Sequence, residues 1–282
     1  MSERERLLLD LRRIAGNGYL LEKGEDAQEY LNLMLRHIGD TDAELRDTLI
    51  YETFCQWISE KARLSDDALR RILAVLLDHD HLFCHMGNDG DSTVLTRSFS
   101  VLAVVQILAE HRKRAILDRE LFEQTKNAIV RYCAQEMDLR GYQPDFGWAH
   151  AAAHGADALE ELVQCRECDA AAIREILACM KRMMQNGRYL LCHEEDERLV
   201  RAAHHMLSGP AAFRALLRAF MKDVAAYAGA DDPRMQYIAR VNTKNFVRSF
   251  YFRLLHANTE EDFRALLADV EKQMNRFAPK TQ

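Results

Sequence analysis

Two histidines and an aspartate recur at helical spacing in an alanine-rich segment, GWAHAAAHGADALEEL, residues 147–162. His150, His154 and Asp157 stand at i, i+4 and i+7, so one helix would carry all three on one face. Such a face can bind a transition metal, supply a general base, or hydrogen-bond to neighbouring helices. These three interpretations stay open at the level of sequence.

The metal interpretation lacks part of its usual motif. The histidine spacing is that of HExxH helices, but Ala151 follows His150, so the general base of that motif is missing. A further ligand would have to come from elsewhere, for example the acidic run 194–197. We therefore predict no metal and no cofactor. Gly155, inside the same segment, would allow close approach of a backbone or a ligand.

Aromatic residues lie in and directly after the predicted loop DLRGYQPDFG, which contains two glycines and a proline and precedes His150. Tyr142, Phe146 and Trp148 would stack on a ligand or close the end of a helix pair. A second charged segment, HEEDERLVRAAHH, covers residues 193–205, and its arginines could hold an anion. The candidate ligand-binding residues are Trp148, His150, His154, Asp157, Glu197, Arg198 and Arg97.

Composition limits the class of protein. The chain has 282 residues, 38 basic and 44 acidic, for a formal net charge of −6. Nucleic acids and anionic membranes attract positive charge, so we predict neither as a partner. No uninterrupted apolar run approaches the roughly 20 residues that span a bilayer. Seven scattered cysteines and no signal peptide predict a cytoplasmic protein with free thiols.

The pattern along the chain predicts an all-α protein. Five helices, here called the B helices, open with a cap-type residue followed four positions later by a large apolar residue. Between them we predict five A helices. The B helices begin at Ser65, Asp118, Asp169, Gly209 and Thr259, and the A helices lie near 44–60, 92–110, 147–163, 194–207 and 234–256.

A helix pair that recurs about every forty to fifty residues is typical of a HEAT-like α-solenoid. We predict one helical-repeat domain over 1–282 with about five to six helix pairs. Residues 1–40, with helices near 3–14 and 25–38, would form the N-terminal cap, and 41–282 about five pairs. The alternative is an irregular helical domain with accidental spacing.

The A helices carry the unusual polar residues, which predicts a polar groove lined by alternate helices. The residues expected there are Arg46, Asp47, Tyr51, Arg97, Ser98, His150, His154, Asp157, Glu197, Arg198, Arg201, Asn242, Asn245 and Arg248.

Several motifs together resemble a known bacterial family, domain of unknown function 2785. They are DTLIYETFCQWI, VLTRSFSVLAVVQIL, DLRGYQPDFGWAHAAAHGADAL and EDERLVRA, from the first A helix through residue 205. The most specific part is Gly147-Trp148-Ala149-His150 with His154-Gly155-Ala156-Asp157. The resemblance implies a helical, HEAT-like bacterial protein and brings no activity.

Two functions remain in view. The first is a noncatalytic helical-repeat protein that binds a peptide, a protein or a small polar ligand in the A-helix groove. The second is a hydrolase or lyase, with or without metal, centred on His150, His154 and Asp157, with Arg198 or Arg97 as an anion clamp. A HEAT-like DNA-repair glycosylase is disfavoured by the acidic balance. No P-loop, GxGxxG or GxSxG motif supports nucleotide or serine-hydrolase chemistry.

Overall fold

A computed structural model describes residues 1–60, 64–226 and 232–279, and its regular structure there is almost entirely helical. The prediction of an all-α protein is confirmed. The chain divides into two compact units, Met1–Ala158 and Leu159–Gln282. The division falls inside a single helix.

The first unit contains short and long helices around α5, together with two π-helical segments. Its elements are α1 (Glu3–Gly16), α2 (Ala27–Arg36), π1 (Glu44–Tyr51), α3 (Glu52–Cys55), π2 (Gln56–Glu60), α4 (Asp66–Leu76), α5 (Thr93–Arg114), α6 (Arg119–Gln135), β1 (Tyr142–Gln143), β2 (Gly147–Trp148) and the start of α7 (Ala151–Gln164).

The second unit contains the end of α7 and five further helices. These are α8 (Ala170–Met184), α9 (Glu195–Ser208), α10 (Ala211–Asp223), α11 (Pro233–His256) and α12 (Glu261–Met274). Within this unit the B helices contact one another in succession, α8 with α10 and α10 with α12. The A helices α9 and α11 also contact each other, and α11 contacts α12.

Helix starts follow the predicted caps closely. Ser65, Asp118 and Asp169 are N-caps whose side chains accept backbone N–H bonds from the first turn of α4, α6 and α8. The last two B helices begin one residue later than predicted, with Pro210 and Glu260 at the cap position. Local capping chemistry is decided by residues close in sequence, so it can be read from sequence alone.

The first predicted A helix, near 44–60, is helical but not uniformly α-helical. Its first and last parts, π1 and π2, have the wider turns of π-helix, in which backbone hydrogen bonds join residues five apart. In π1 the apolar side chains of Leu45, Leu49 and Ile50 are buried. The wide turns therefore still present one apolar face to the interior.

The predicted helix over 147–163 is wrong at its beginning. Gly147 and Trp148 instead form β2, which pairs antiparallel with β1 to make a small hairpin. Gly147 and His150 both have positive φ, 77° and 53°, a conformation that an α-helix excludes. His150 therefore precedes α7, although its carbonyl accepts the N–H of His154 at 2.9 Å.

The helix α5 is long and apolar enough to cross a membrane by length and composition, and no other helix in the described ranges meets those two criteria. Its most apolar window has a mean hydropathy of 1.4, and 72% of that window is buried. A central core helix has the same composition as a membrane span, because both are surrounded by apolar groups. Burial favours a core role for α5.

The cap of α6 gives a direct stability test. Asp118 accepts the N–H of Leu121 at 2.8 Å. We expect Asp118→Ala to lower the free energy of unfolding by about 1 kcal/mol, because one first-turn N–H loses its acceptor. Chemical denaturation monitored by circular dichroism measures the change. The control is Asp118→Asn, which keeps an acceptor oxygen and should lose much less; equal losses in both variants would contradict the capping explanation.

Candidate functional site

Three aromatic rings form a row at the hairpin of the first unit. The ring centroids of Tyr142 and Trp148 lie 5.2 Å apart in an edge-to-face arrangement, and those of Trp148 and His150 lie 4.2 Å apart. Tyr142 is 54% exposed and Trp148 40% exposed. We call Tyr142, Trp148 and His150 the aromatic ladder. It combines large apolar area with access to solvent, which favours contact with a ligand.

The hairpin that carries the aromatic ladder is anchored by a buried arginine. The guanidinium of Arg46 donates to the carbonyl oxygen of Phe146 at 2.8 Å and to that of Asp40 at 2.7 Å. It also donates to Asp47 at 2.8 Å and lies 4.8 Å from the centroid of the Phe99 ring. Four contacts on one fully buried side chain hold the hairpin to π1 and α5.

His154 is buried, and its ring contacts groups of the protein interior. Its Nδ1 lies 2.8 Å from the hydroxyl oxygen of Ser98, and the Ser98 hydroxyl donates its hydrogen to the carbonyl of Ala149. Because a hydroxyl has only one hydrogen, Nδ1 of His154 must carry the proton and donate to Ser98. The ring also meets Phe99 edge to face at 5.3 Å. These contacts join the start of α7 to α5.

Ser98 and His154 resemble two members of a catalytic triad, but the geometry does not fit nucleophilic catalysis. Ser98 has no exposed surface, and its hydrogen is committed to a backbone carbonyl. A nucleophilic hydroxyl must reach its substrate and give its proton to the base. The pair therefore acts as a structural bond between helices.

Asp157 lies beside a second polar group formed by the A helices of the first unit. Gln106 donates to the hydroxyl of Tyr51 at 3.0 Å, linking α5 to π1. Burial raises the pKa of Tyr51, and the nearby Cys55 and Asp157 raise it further. Tyr51 therefore stays neutral at physiological pH and acts as a hydrogen-bonding group. Tyr51 and Asp157 were predicted from their unusual polar positions, whereas Cys55 and Gln106 fit an ordinary amphipathic pattern and were not predicted.

Arg97 is a core residue rather than an accessible cation. Its Nε and Nη2 donate to the Glu136 carboxylate at 2.6 and 2.9 Å. Its remaining N–H groups donate to the carbonyls of Cys84 and Asn88 and to the hydroxyl of Thr93. Burial opposes the charge of Arg97, but bonding to Glu136 raises its pKa above the usual value. All five donors are engaged, so the predicted anion clamp at Arg97 is wrong.

Glu197 and Arg198 lie in the second unit, on α9. Glu197 pairs with Arg253 of α11 at 3.2 Å. Arg198 is half-buried, and its neighbour Arg201 forms an ion pair with Glu160 at 2.7 Å. These ion pairs account for much of the charge in the segment without a bound anion.

Six of the predicted groove residues are buried. They are Arg46, Arg97, Ser98, His154, Asp157 and Asn242. Asn242 accepts the N–H of Leu191 and donates to the carbonyls of Met184 and Tyr189. The groove prediction is wrong for Arg46, Arg97, Ser98 and Asn242, because backbone groups of the connecting segments occupy polar atoms of these buried side chains. In the described ranges, no group of three or more His, Cys, Asp or Glu side chains is arranged to hold a metal ion.

The geometry defines an all-α protein with a half-exposed aromatic and polar surface on its first unit. The family described as a protein of unknown function (DUF2785) matches residues 82–252, more than half of the chain, so the protein belongs to that family. This match starts later than the resemblance in the sequence motifs and extends further, into α11. No curated protein and no solved structure matches the chain.

The Arg97–Glu136 pair predicts a strong and partly reversible loss of stability. Arg97→Met should lower the free energy of unfolding by about 3–5 kcal/mol, because it leaves the Glu136 carboxylate buried without a counter-charge. Adding Glu136→Gln removes that charge and keeps an acceptor oxygen, so the double variant should recover part of the loss. Urea denaturation of the wild type, Arg97→Met, Glu136→Gln and the double variant measures the four free energies of unfolding. A double variant no more stable than Arg97→Met would refute the explanation.

The structural role of His154 has its own test. His154→Ala should cost about 2–4 kcal/mol of unfolding free energy, because Ser98 loses a buried partner and a ring leaves the core. His154→Asn places an amide N–H near the position of Nδ1 and should restore part of the loss. Thermal and urea unfolding measure both variants. A His154→Ala protein as stable as the wild type would leave this histidine free for another role.

Proposed function

We propose that this protein is a noncatalytic, HEAT-like helical-repeat protein that binds a peptide, a protein or a small polar ligand. The proposed contact surface is the aromatic ladder on the first unit together with the neighbouring A-helix side chains. The observation that carries the proposal is the exposure of two large aromatic rings on a hairpin that buried bonds hold in place.

Two observations support the HEAT-like arrangement. The observed caps of the B helices recur at intervals close to those expected of a two-helix repeat. In the second unit, successive B helices contact each other and so do the A helices α9 and α11. Stacking of this kind lets each helix pair bury an apolar face that it cannot bury alone.

The anchoring of the hairpin supports binding rather than simple surface decoration. An interface residue that is already held in one conformation loses less entropy when a partner arrives. Trp148 and Tyr142 have few rotatable bonds, and β1 and β2 align them. Tryptophan and tyrosine are also the side chains that most often dominate binding energy at interfaces.

The chemistry of this surface favours a partner with a basic side chain. The faces of tryptophan and tyrosine attract cations, and the attraction grows when water is excluded. Arg46, which anchors the hairpin, also bonds to Asp47. The Asp47 side chain is about one-third exposed, and burial raises the pKa of its carboxyl group. A basic group would supply Asp47 with a second counter-charge. The net charge of −6 also attracts basic partners.

The hydrolase or lyase alternative has less support. The serine that touches His154 is buried, and Arg97 has no donor left for a substrate anion. His150 is half-buried and stacked on Trp148, which suits a contact surface. We therefore retain the binding function as the proposal.

Selection from a phage-displayed library of random peptides tests the proposal. The library is selected on the wild-type protein and counter-selected on the Tyr142→Ser/Trp148→Ser double variant. We expect peptides that contain arginine or lysine to be enriched. The dissociation constant of the enriched peptides, measured by fluorescence anisotropy, should rise at least about tenfold in the double variant, which corresponds to a loss of about 1.4 kcal/mol.

The matched control is Phe277→Ser, which removes an aromatic ring that is 89% exposed elsewhere on the chain. This variant should bind the selected peptides like the wild type. Failure to enrich any peptide, or equal binding by the wild type and the double variant, would refute a binding role for the aromatic ladder.

A further inference from the structure

The helix α11 has an unusual charge composition for this chain. Its 24 residues include five lysines or arginines and no aspartate or glutamate, whereas the whole chain is net negative. The basic residues are Arg234, Arg240, Lys244, Arg248 and Arg253. Three of them, at positions 240, 244 and 248, are spaced four apart and share one face, where like charges repel.

Arg240 is the most unusual of these cations. It is only 8% exposed, and its Nε is buried without a hydrogen-bond partner among the described residues. Its contact is with the ring of Tyr237, whose centroid lies 5.2 Å away. A buried arginine normally has a carboxylate or several carbonyls, because removing its charge from water is costly. An aromatic ring offsets a small part of that cost.

Lys244 extends the cluster by one helical turn. Burial lowers the pKa of its ammonium group, and the nearby Arg248 and Arg240 lower it further, while Glu271 opposes them. Glu271 is already paired with Arg248 at 2.6 Å. The group formed by Arg240, Lys244 and Arg248 therefore has three positive charges against one negative charge.

The arrangement resembles a site whose counter-charge comes from a bound molecule. We infer that Arg240 and Lys244 on α11 form a binding site for a phosphate group, free or carried as a phosphomonoester. A guanidinium donates two parallel hydrogen bonds to phosphate oxygens, and an ammonium adds a compact charge beside it. Arg248 stays paired with Glu271 and attracts the phosphate only by its nearby positive charge. The site lies in the second unit and is independent of the aromatic ladder.

Titration with inorganic phosphate tests the inference. The full chain is purified in phosphate-free buffer and titrated at constant ionic strength, with chloride exchanged for phosphate, in an isothermal calorimeter. The wild type should bind one phosphate with a saturable heat. In Arg240→Met the dissociation constant should rise at least tenfold, while the melting temperature in phosphate-free buffer should not fall, because the apolar stem remains and an unpaired charge is removed.

Two further variants keep the result decisive. Lys244→Gln should also weaken phosphate binding, and it provides the answer if Arg240→Met does not fold. Arg174→Gln is the matched control, since Arg174 is exposed on α8 and bonds to a carbonyl of its own helix. It changes the charge equally and should bind phosphate like the wild type. No saturable heat in the wild type, or equal affinity in the wild type and the folded cluster variants, would overturn the inference.

AMP, a nucleoside monophosphate, distinguishes a site for free phosphate from a site for a phosphomonoester. Tyr237 is 53% exposed beside Arg240 and offers a ring on which a base can stack. Tighter binding of AMP than of phosphate, lost in Tyr237→Leu, would assign the site to a phosphomonoester with an aromatic group. Equal binding of both would assign it to the phosphate group alone.

Discussion

The connections between helices depend on buried polar side chains that satisfy their backbone groups. A buried carbonyl or N–H without a partner costs free energy comparable to a lost hydrogen bond, so a segment without regular structure needs partners from elsewhere. Arg46 supplies them to the hairpin region, Arg97 to the segment before α5, and Asn242 to the segment between α8 and α9. Each of these side chains projects from an A helix.

This constraint explains why the A helices carry so many polar residues. In sequence, a row of polar side chains on alternate helices suggested an open groove. In the structure, Arg46, Arg97 and Asn242 turn inward and hold the connecting segments, and this role requires burial. The polar and aromatic groups that stay partly exposed in the first unit are the aromatic ladder at the hairpin, which Arg46 fixes, and the half-buried group around Tyr51 and Gln106.

Two buried arginines show how much the surroundings decide. Arg97 has five engaged donors and a carboxylate, so its charge is compensated within the protein. Arg240 is almost as deeply buried, but its guanidinium lies over the Tyr237 ring, and its Nε has no hydrogen-bond partner among the described residues. The first arrangement stabilises a fold, whereas the second carries an electrostatic cost that a bound anion can offset. A signal for the second was present in the sequence, since α11 has no acidic residue, but helical charge composition alone does not reveal burial.

The all-α class, most helix boundaries and the caps at Ser65, Asp118 and Asp169 could be predicted from local sequence, because helix formation and capping depend on residues a few positions apart. Local sequence also brought His150 and His154 together correctly, although through a helix that in fact begins after His150. Three features could not be predicted in this way: the hairpin over residues 142–148, the bond between His154 and Ser98, and the enclosure of Arg97. His154 and Ser98 are 56 positions apart, Arg97 and Glu136 are 39 apart, and the hairpin is anchored by Arg46, 100 positions from Phe146. No local sequence pattern encodes such contacts.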